Sequence, residues 1–159
     1  MIKIAQNSDF NFIYELYMNP EINPFLLYDT MEKEEFQPIF DELMAQNQLF
    51  IYESENQRIG MFKLVFQKHR DAHKVYLGGV AVHTSFMGKG FGKKMLNEIK
   101  DYCFNINIKR IELSVATFNE KAIQLYESVG FEKEGIIRNC TYFKNENRYI
   151  DEVLMSYIC

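Results

Sequence analysis

Cysteine is scarce in this chain: Cys103, Cys140 and Cys159 are odd in number, far apart and without a CxxC. That removes a disulfide framework and any zinc-ligand spacing, and makes a reducing, cytoplasmic compartment the expectation. A basic excess is lacking too. Eighteen Lys and Arg against twenty-two Asp and Glu leave a formal charge of −4, so no general electrostatic attraction to nucleic acid or an anionic membrane is expected, and a cationic partner is weakly favoured. No apolar stretch approaches the ~20 residues of a membrane span, and "MIKIAQNSDF" has no basic segment followed by an apolar run. The three prolines, Pro20, Pro24 and Pro38, all fall early, and no Pro/Gly/Ser-rich linker or repeat divides the chain. One continuous domain over residues 1–159 is expected.

What is present is aromatic residues, 15% of the chain, and clear periodicity. "MIKIA" reads as a short edge strand, and Ser8 as the N-cap of a helix with Phe12, Ile13, Leu16 and Tyr17 on one face. Residues 32 to 46 read as a second helix, with Pro38 near its start. "QLFIYES" and "QRIGMFKLVFQ" form an antiparallel hairpin about Glu55 and Asn56. "KVYLGGVAV" follows as a strand whose inner glycines mark a bulge or a close backbone approach. A helix from Gly92 to about Ile106, the alternating strand "RIELSVAT", a helix "NEKAIQLYESVG" capped by Asn119 and Gly130, and a closing hairpin around "KNENR" complete the chain. The expected class is α+β, with helices flanking a mixed, mostly antiparallel central sheet.

"FMGKGFGKKML" places Gly88, Gly90 and Gly92 where a strand hands over to a helix. The Walker A spacing fails, because Met95 stands where Ser or Thr is needed, and a dinucleotide GxGxxG fails at Lys93. A helix start with unpaired N–H groups, bare backbone and Lys89, Lys93 and Lys94 beside it suits a pyrophosphate or similar anion. A glycine-rich turn that binds nothing fits the stretch equally well. The second stretch, "NEKAIQLYESVGFEKEG", puts Asn119 and Tyr126 nearly two turns apart at ~3.6 residues per turn, on one helix face with small Ala122 between them. An elongated ligand fits along that face.

Together, "GGVAVHTSFMGKGFGKKML" and "NEKAIQLYESVGFEKEG" resemble the paired motifs of the GCN5-related N-acetyltransferases, from roughly Phe50 to the C-terminus. "EGIIRNCTYFKNENRYIDEVLMSYI" is similar to the end of the ribosomal-protein N-terminal and spermidine acetyltransferases, with Arg138, Asn139, Tyr149, Asp151 and Met155 matching their pattern. The resemblance implies acetyl-coenzyme A as cosubstrate and an acceptor amine: a peptide N-terminus, a polyamine or an aminosugar. It implies that backbone N–H groups of Met87, Gly88, Lys89, Gly90, Phe91, Gly92 and Lys93 hold the pyrophosphate. It further implies that Val80, Ala81 and Val82 pair with the pantetheine arm, that Asn119 and Ala122 contact the cofactor, and that Tyr126 protonates the departing sulfur. A homodimer is common in that subfamily.

A phenol with pKa about 10 stays protonated at neutral pH and can donate to a thiolate. The amine also needs a proton acceptor. Glu34 and Glu35 are the candidates, from the second helix, against the plainer reading of an exposed helix face. His83 packs or faces solvent beside the glycine loop, and His69, Asp71 and His73 form a solvated connector, so no metal is expected. Met87 stands where the family signature carries Arg or Gln. That departure and the unassigned base motivate an alternative of another class, a non-catalytic acyl-coenzyme A binding or sensing module.

Overall fold

A computed structural model describes residues Met1–Cys159. Seven strands form one sheet: β1 (Ile2–Ile4), β2 (Leu49–Ser54), β3 (Gln57–Phe66), β4 (Lys74–Val82), β5 (Arg110–Ala116), β6 (Glu132–Phe143) and β7 (Arg148–Ile158). Four helices flank it: α1 (Phe10–Met18), α2 (Lys33–Ala45), α3 (Phe91–Asn105) and α4 (Glu120–Glu127). The strand order is β1-β2-β3-β4-β5-β7-β6, and only β4 and β5 run parallel. This is the α+β arrangement that the periodicities imply.

The β2–β3 hairpin turns where Glu55 and Asn56 both take left-handed backbone, φ 51 and 61, the two-residue geometry that matches strand twist. The start of α1 differs from expectation. Residues Asn7–Asp9 form a separate single turn, so α1 begins at Phe10 and Ser8 caps nothing. Asp9 is fully buried: its Oδ2 accepts from the Gln6 N–H at 2.8 Å and its Oδ1 from Arg58 Nε at 2.6 Å. A buried carboxylate requires such partners, and these tie the N-terminal turn to β3. Pro38 lies inside α2; having no N–H, it leaves the Glu34 carbonyl without its helical partner.

Alternation along the strands sorts apolar residues onto two faces. One face, with Phe62, Leu64, Ile111 and Leu113, packs on Met95, Leu96 and Ile99 of α3 and on Ile123 and Tyr126 of α4. The other, with Ile51, Met61 and Ala81, packs on Ile13, Leu16 and Tyr17 of α1 and on Phe36 and Phe40 of α2.

The site depends on where this sheet fails to pair. β4 and β5 share three rungs, Lys74↔Arg110, Val75↔Ile111 and Tyr76↔Glu112, and then part. The cause lies in β4. Against β3 its register jumps from Gly78↔Lys63 to Ala81↔Met61, so Gly79 and Val80 together oppose Phe62. Gly79 takes φ +57, a value most side chains resist. An extra residue of this kind bends a strand, here away from β5.

A second bulge shapes β6. Between Ile137↔Glu152 and Thr141↔Ile150, three β6 residues oppose the single residue Asp151. Asn139 takes φ +51 there, and its N–H donates to Asp151 Oδ1 at 2.8 Å. The Arg138-Asn139 and Asp151 pattern of the tail thus builds a bulge, which turns Thr141 toward β7.

Candidate active site

The gap between β4 and β5 opens into a cavity of about 320 Å³, within the range of small-molecule sites. Backbone edges form one of its walls. The His83 N–H bonds back to Ile59 O of β3 at 2.8 Å. N–H direction alternates along a strand, so the Val82 N–H points the other way, toward the gap. The β4 edge beyond the bulge therefore offers at least the Val82 donor to the gap, with no strand beyond it.

Below this edge, the loop into α3 is a second set of backbone donors. None of the N–H groups from Gly88 to Lys93 makes a hydrogen bond within the protein; the first helical bond comes at Lys94 N–H to Gly90 O. Gly88 and Gly90 have φ +72 and +80, and a Cβ at either would meet nothing within 4 Å. Their requirement is backbone conformation, not space. Gly92 differs: a Cβ there would approach Leu125 at 3.1 Å, so it serves the packing of α3 on α4. His83 anchors the loop, its Nδ1 accepting from the Ser85 N–H at 3.2 Å. That leaves Nε2 to donate to Glu15 Oε1 at 3.0 Å. Lys89 Nζ is held by the Ser85 carbonyl at 2.9 Å, Lys93 is exposed, and Met87 departs from expectation: it is 43% exposed, but its N–H already donates to the Thr84 carbonyl at 3.2 Å and so is not among the free donors.

Six consecutive unpartnered donors at a helix start are what a pyrophosphate needs, and the bare edge of β4 is what an extended amide-bearing arm needs. These residues therefore fit coenzyme A.

On the far side of the gap stands α4. Asn119 caps it, its Oδ1 accepting from the Ala122 N–H at 3.2 Å, and Asn119, Ala122 and Tyr126 all line the cavity. Tyr126 is 8% exposed. Burial first, and the neighbouring Tyr76 second, push its phenol pKa up, so it holds its proton throughout the physiological range.

The polar lining from the β-strands went unread in the sequence. Tyr76 Oη and Ser114 Oγ lie 2.7 Å apart, Ser114 Oγ donates to the Glu152 carboxylate, and Thr141 Oγ1 donates to Glu152 Oε1 at 2.8 Å. Glu152 is the one carboxylate in the lining, and Lys63 the one cation. Period-two alternation marked Ser114 as lying off the core face, but nothing local in the sequence joins it to Glu152.

Glu34 and Glu35 are elsewhere: exposed, on the first turn of α2, and absent from the lining. Glu35 Oε2 accepts from the Glu32 N–H at 3.1 Å in a capping box. A larger open groove, about 500 Å³, runs between α4 and β6 past Glu120, Gln124 and Lys133. It contains neither Tyr126 nor the glycine loop, and its Lys133 is paired with Glu127 at 3.0 Å.

Comparison with known proteins agrees with this geometry. The spermidine N(1)-acetyltransferase of Vibrio cholerae serotype O1 is 28% identical over 141 residues, which cover 84% of this chain and 79% of that protein. An uncharacterized N-acetyltransferase of Bacillus licheniformis is 30% identical over 149 residues, covering 89% and 78%. The crystal structure of spermidine N-acetyltransferase from Vibrio cholerae in complex with CoA and spermine superposes with a TM-score of 0.84 at 24% identity, over 99% of this chain and 94% of that one. Ribosomal-protein-alanine N-acetyltransferase from Brucella melitensis gives 0.79 at 20% identity, over 100% and 99%. The model of the acetyltransferase (GNAT) family matches residues 10–131. The chain belongs to the GNAT family of N-acetyltransferases, enzymes that use acetyl-CoA as cosubstrate.

Proposed function

We propose that the protein acetylates an amine by direct attack on acetyl-CoA, with Tyr126 as general acid and the Tyr76–Ser114–Glu152 chain as the proton path. The observation that carries this reading is the cavity at the parted strands, where a buried, protonated phenol shares the lining with the β4 edge at Gly79 and Val80 and with a hydrogen-bonded carboxylate. Acetyl-CoA supplies a thioester whose acetyl group passes to the amine nitrogen.

The chain's own groups do the rest. N–H groups from Gly88 to Lys93 hold the pyrophosphate, and those of Val80 and Val82 align the pantetheine arm and polarise the acetyl oxygen. An amine with pKa about 10 arrives as ammonium. Its first proton passes to Tyr76 Oη, while the Tyr76 proton moves to Ser114 and the Ser114 proton to Glu152. As the C–N bond forms and the C–S bond breaks, the Tyr126 O–H protonates the sulfur. The second nitrogen proton restores Tyr126, and Glu152 releases the first to solvent. Glu152 replaces Glu34 and Glu35 as the proposed acceptor because it lies on the cavity.

Relatives named as spermidine and ribosomal-protein acetyltransferases make polyamines and peptide N-termini reasonable first acceptors to test. The deciding experiment is thiol release from acetyl-CoA over an amine panel, with Tyr126→Phe alongside. Turnover in Y126F is expected to fall about a hundredfold, the scale of a general acid, with coenzyme A affinity by calorimetry little changed. Equal turnover would return Tyr126 to a packing role. Coenzyme A binding without any amine-dependent release would favour the non-catalytic alternative.

A further inference from the structure

Two polar groups converge over the β4 bulge without a protein partner. Tyr17 Oη is buried and makes no hydrogen bond, the one such side-chain atom in the protein; its residue is 1% exposed. Leaving a hydroxyl buried and unpaired costs about 1–3 kcal/mol, a cost that a ligand atom would remove. Lys63, on the same face of β3 and in the same cavity, enters no ion pair and no hydrogen bond through its ammonium. Desolvation lowers its pKa, the mark of a cation with no anion beside it.

The two groups are neighbours. A Cβ built on Gly79 would stand 3.5 Å from both Tyr17 Oη and Lys63 Cε. Tyr76 is adjacent: a Cβ on Gly78 would meet Tyr76 Cε1 at 3.3 Å and Lys63 Cε at 3.9 Å. An ammonium stem and a buried phenol, both ending in donors, thus meet over Gly79, and the head of the chain leading to Glu152 lies beside that same lysine stem over Gly78.

We propose that Lys63 and Tyr17 bind an anionic group carried by the acceptor, so that the substrate is a zwitterion: an amine to be acetylated with a carboxylate close to it, as in a free α-amino acid. This rests on the transferase reading above and narrows its acceptor. The carboxylate takes the Lys63 and Tyr17 donors while the nitrogen lies toward Tyr76. A polyamine suits the cavity poorly, because each added ammonium needs an acceptor, and the lining offers one carboxylate and a like-charged lysine. Leu26, Leu27 and Val65 complete the wall, which favours an apolar side chain on the acceptor.

The test compares thiol release with L-leucine, L-methionine and L-phenylalanine against their carboxamides, and against spermidine. The expected result is a kcat/KM at least tenfold higher for each acid than for its amide, with spermidine poorer than the acids. Lys63→Met, which keeps the stem, should collapse the acid-to-amide ratio toward one, and Tyr17→Phe should lower it about threefold. Preference for spermidine, or a ratio untouched in K63M and Y17F, would overturn the assignment while leaving the transferase standing. So would a fall in acetyl-CoA affinity in K63M at an unchanged ratio, which would place Lys63 on the cofactor. Release with no amine at all would sink the transferase reading and this one with it.

Discussion

The two sets of groups proposed to bind ligands differ in kind. On the α3 side the donors are backbone N–H groups from one run of six residues, Gly88 to Lys93, shaped by left-handed glycines and anchored through His83. On the opposite side the groups are side chains from distant parts of the chain: Tyr17 on α1, Lys63 on β3, Tyr76 on β4, Ser114 on β5 and Glu152 on β7. A grip made of consecutive backbone needs a particular local composition and little else. A grip made of scattered side chains needs the whole sheet order, and any one of its members can change without altering a motif.

That contrast yields measurable differences. The largest is expected at Glu152→Gln, which keeps the side-chain shape but puts an NH2 donor in place of one of the two oxygens that accept from Ser114 and Thr141, and cannot accept a proton. Turnover should fall about a hundredfold near neutral pH, and the deficit should shrink as pH rises toward the amine pKa, where the nucleophile arrives already neutral. A deficit of the same size at every pH would make Glu152 a positioning residue only.

On the backbone side, Gly90→Val tests conformation without crowding, since the added Cβ meets no atom. Holding a side chain at φ +80 costs roughly 1–2 kcal/mol, so coenzyme A affinity by calorimetry should weaken about tenfold. Unaltered affinity would mean that the loop does not grip the pyrophosphate. The smallest effect is expected at Met87→Arg, which adds one exposed cation beside the same donors. Affinity should rise about twofold to fivefold, the scale of an exposed ion pair, and the gain should vanish in high salt. A larger and salt-resistant gain would show that side chains matter on this wall as well.

The same contrast explains what could be read before the fold was known. Strand and helix periods, the Glu55-Asn56 turn and the order of elements are local properties, and they emerged as expected. So did the bulge at the glycines of β4, whereas the left-handed backbone of Gly88 and Gly90 was not foreseen, since those glycines read as room for an anion. Ser8 misled because its neighbour Asp9 is buried and paired with Arg58, 49 positions away in the chain. Glu34 and Glu35 are legible as acidic residues of a helix that could face the acceptor, whereas Glu152 stands in an ordinary alternating strand. Its neighbour Ser114 lies 38 positions away, and only the insertion of β7 between β5 and β6 brings them together. The tail pattern around Asn139 and Asp151 was visible, but its work is indirect: it forms the bulge from which Thr141 reaches Glu152.

The parting of β4 from β5 has one more consequence. A strand in the middle of a seven-stranded sheet here carries a bare edge, the kind of surface that in other proteins recruits foreign strands and seeds aggregation. The α1–α2 connection stands across that edge, with Pro24 to Leu27 lining the cavity and the Phe25 ring tilted against Phe118 at 6.1 Å. That connection therefore covers the edge as well as lining the cavity. It leaves an opening of about 320 Å³ beside an internal strand instead of a free edge along which another strand could pair.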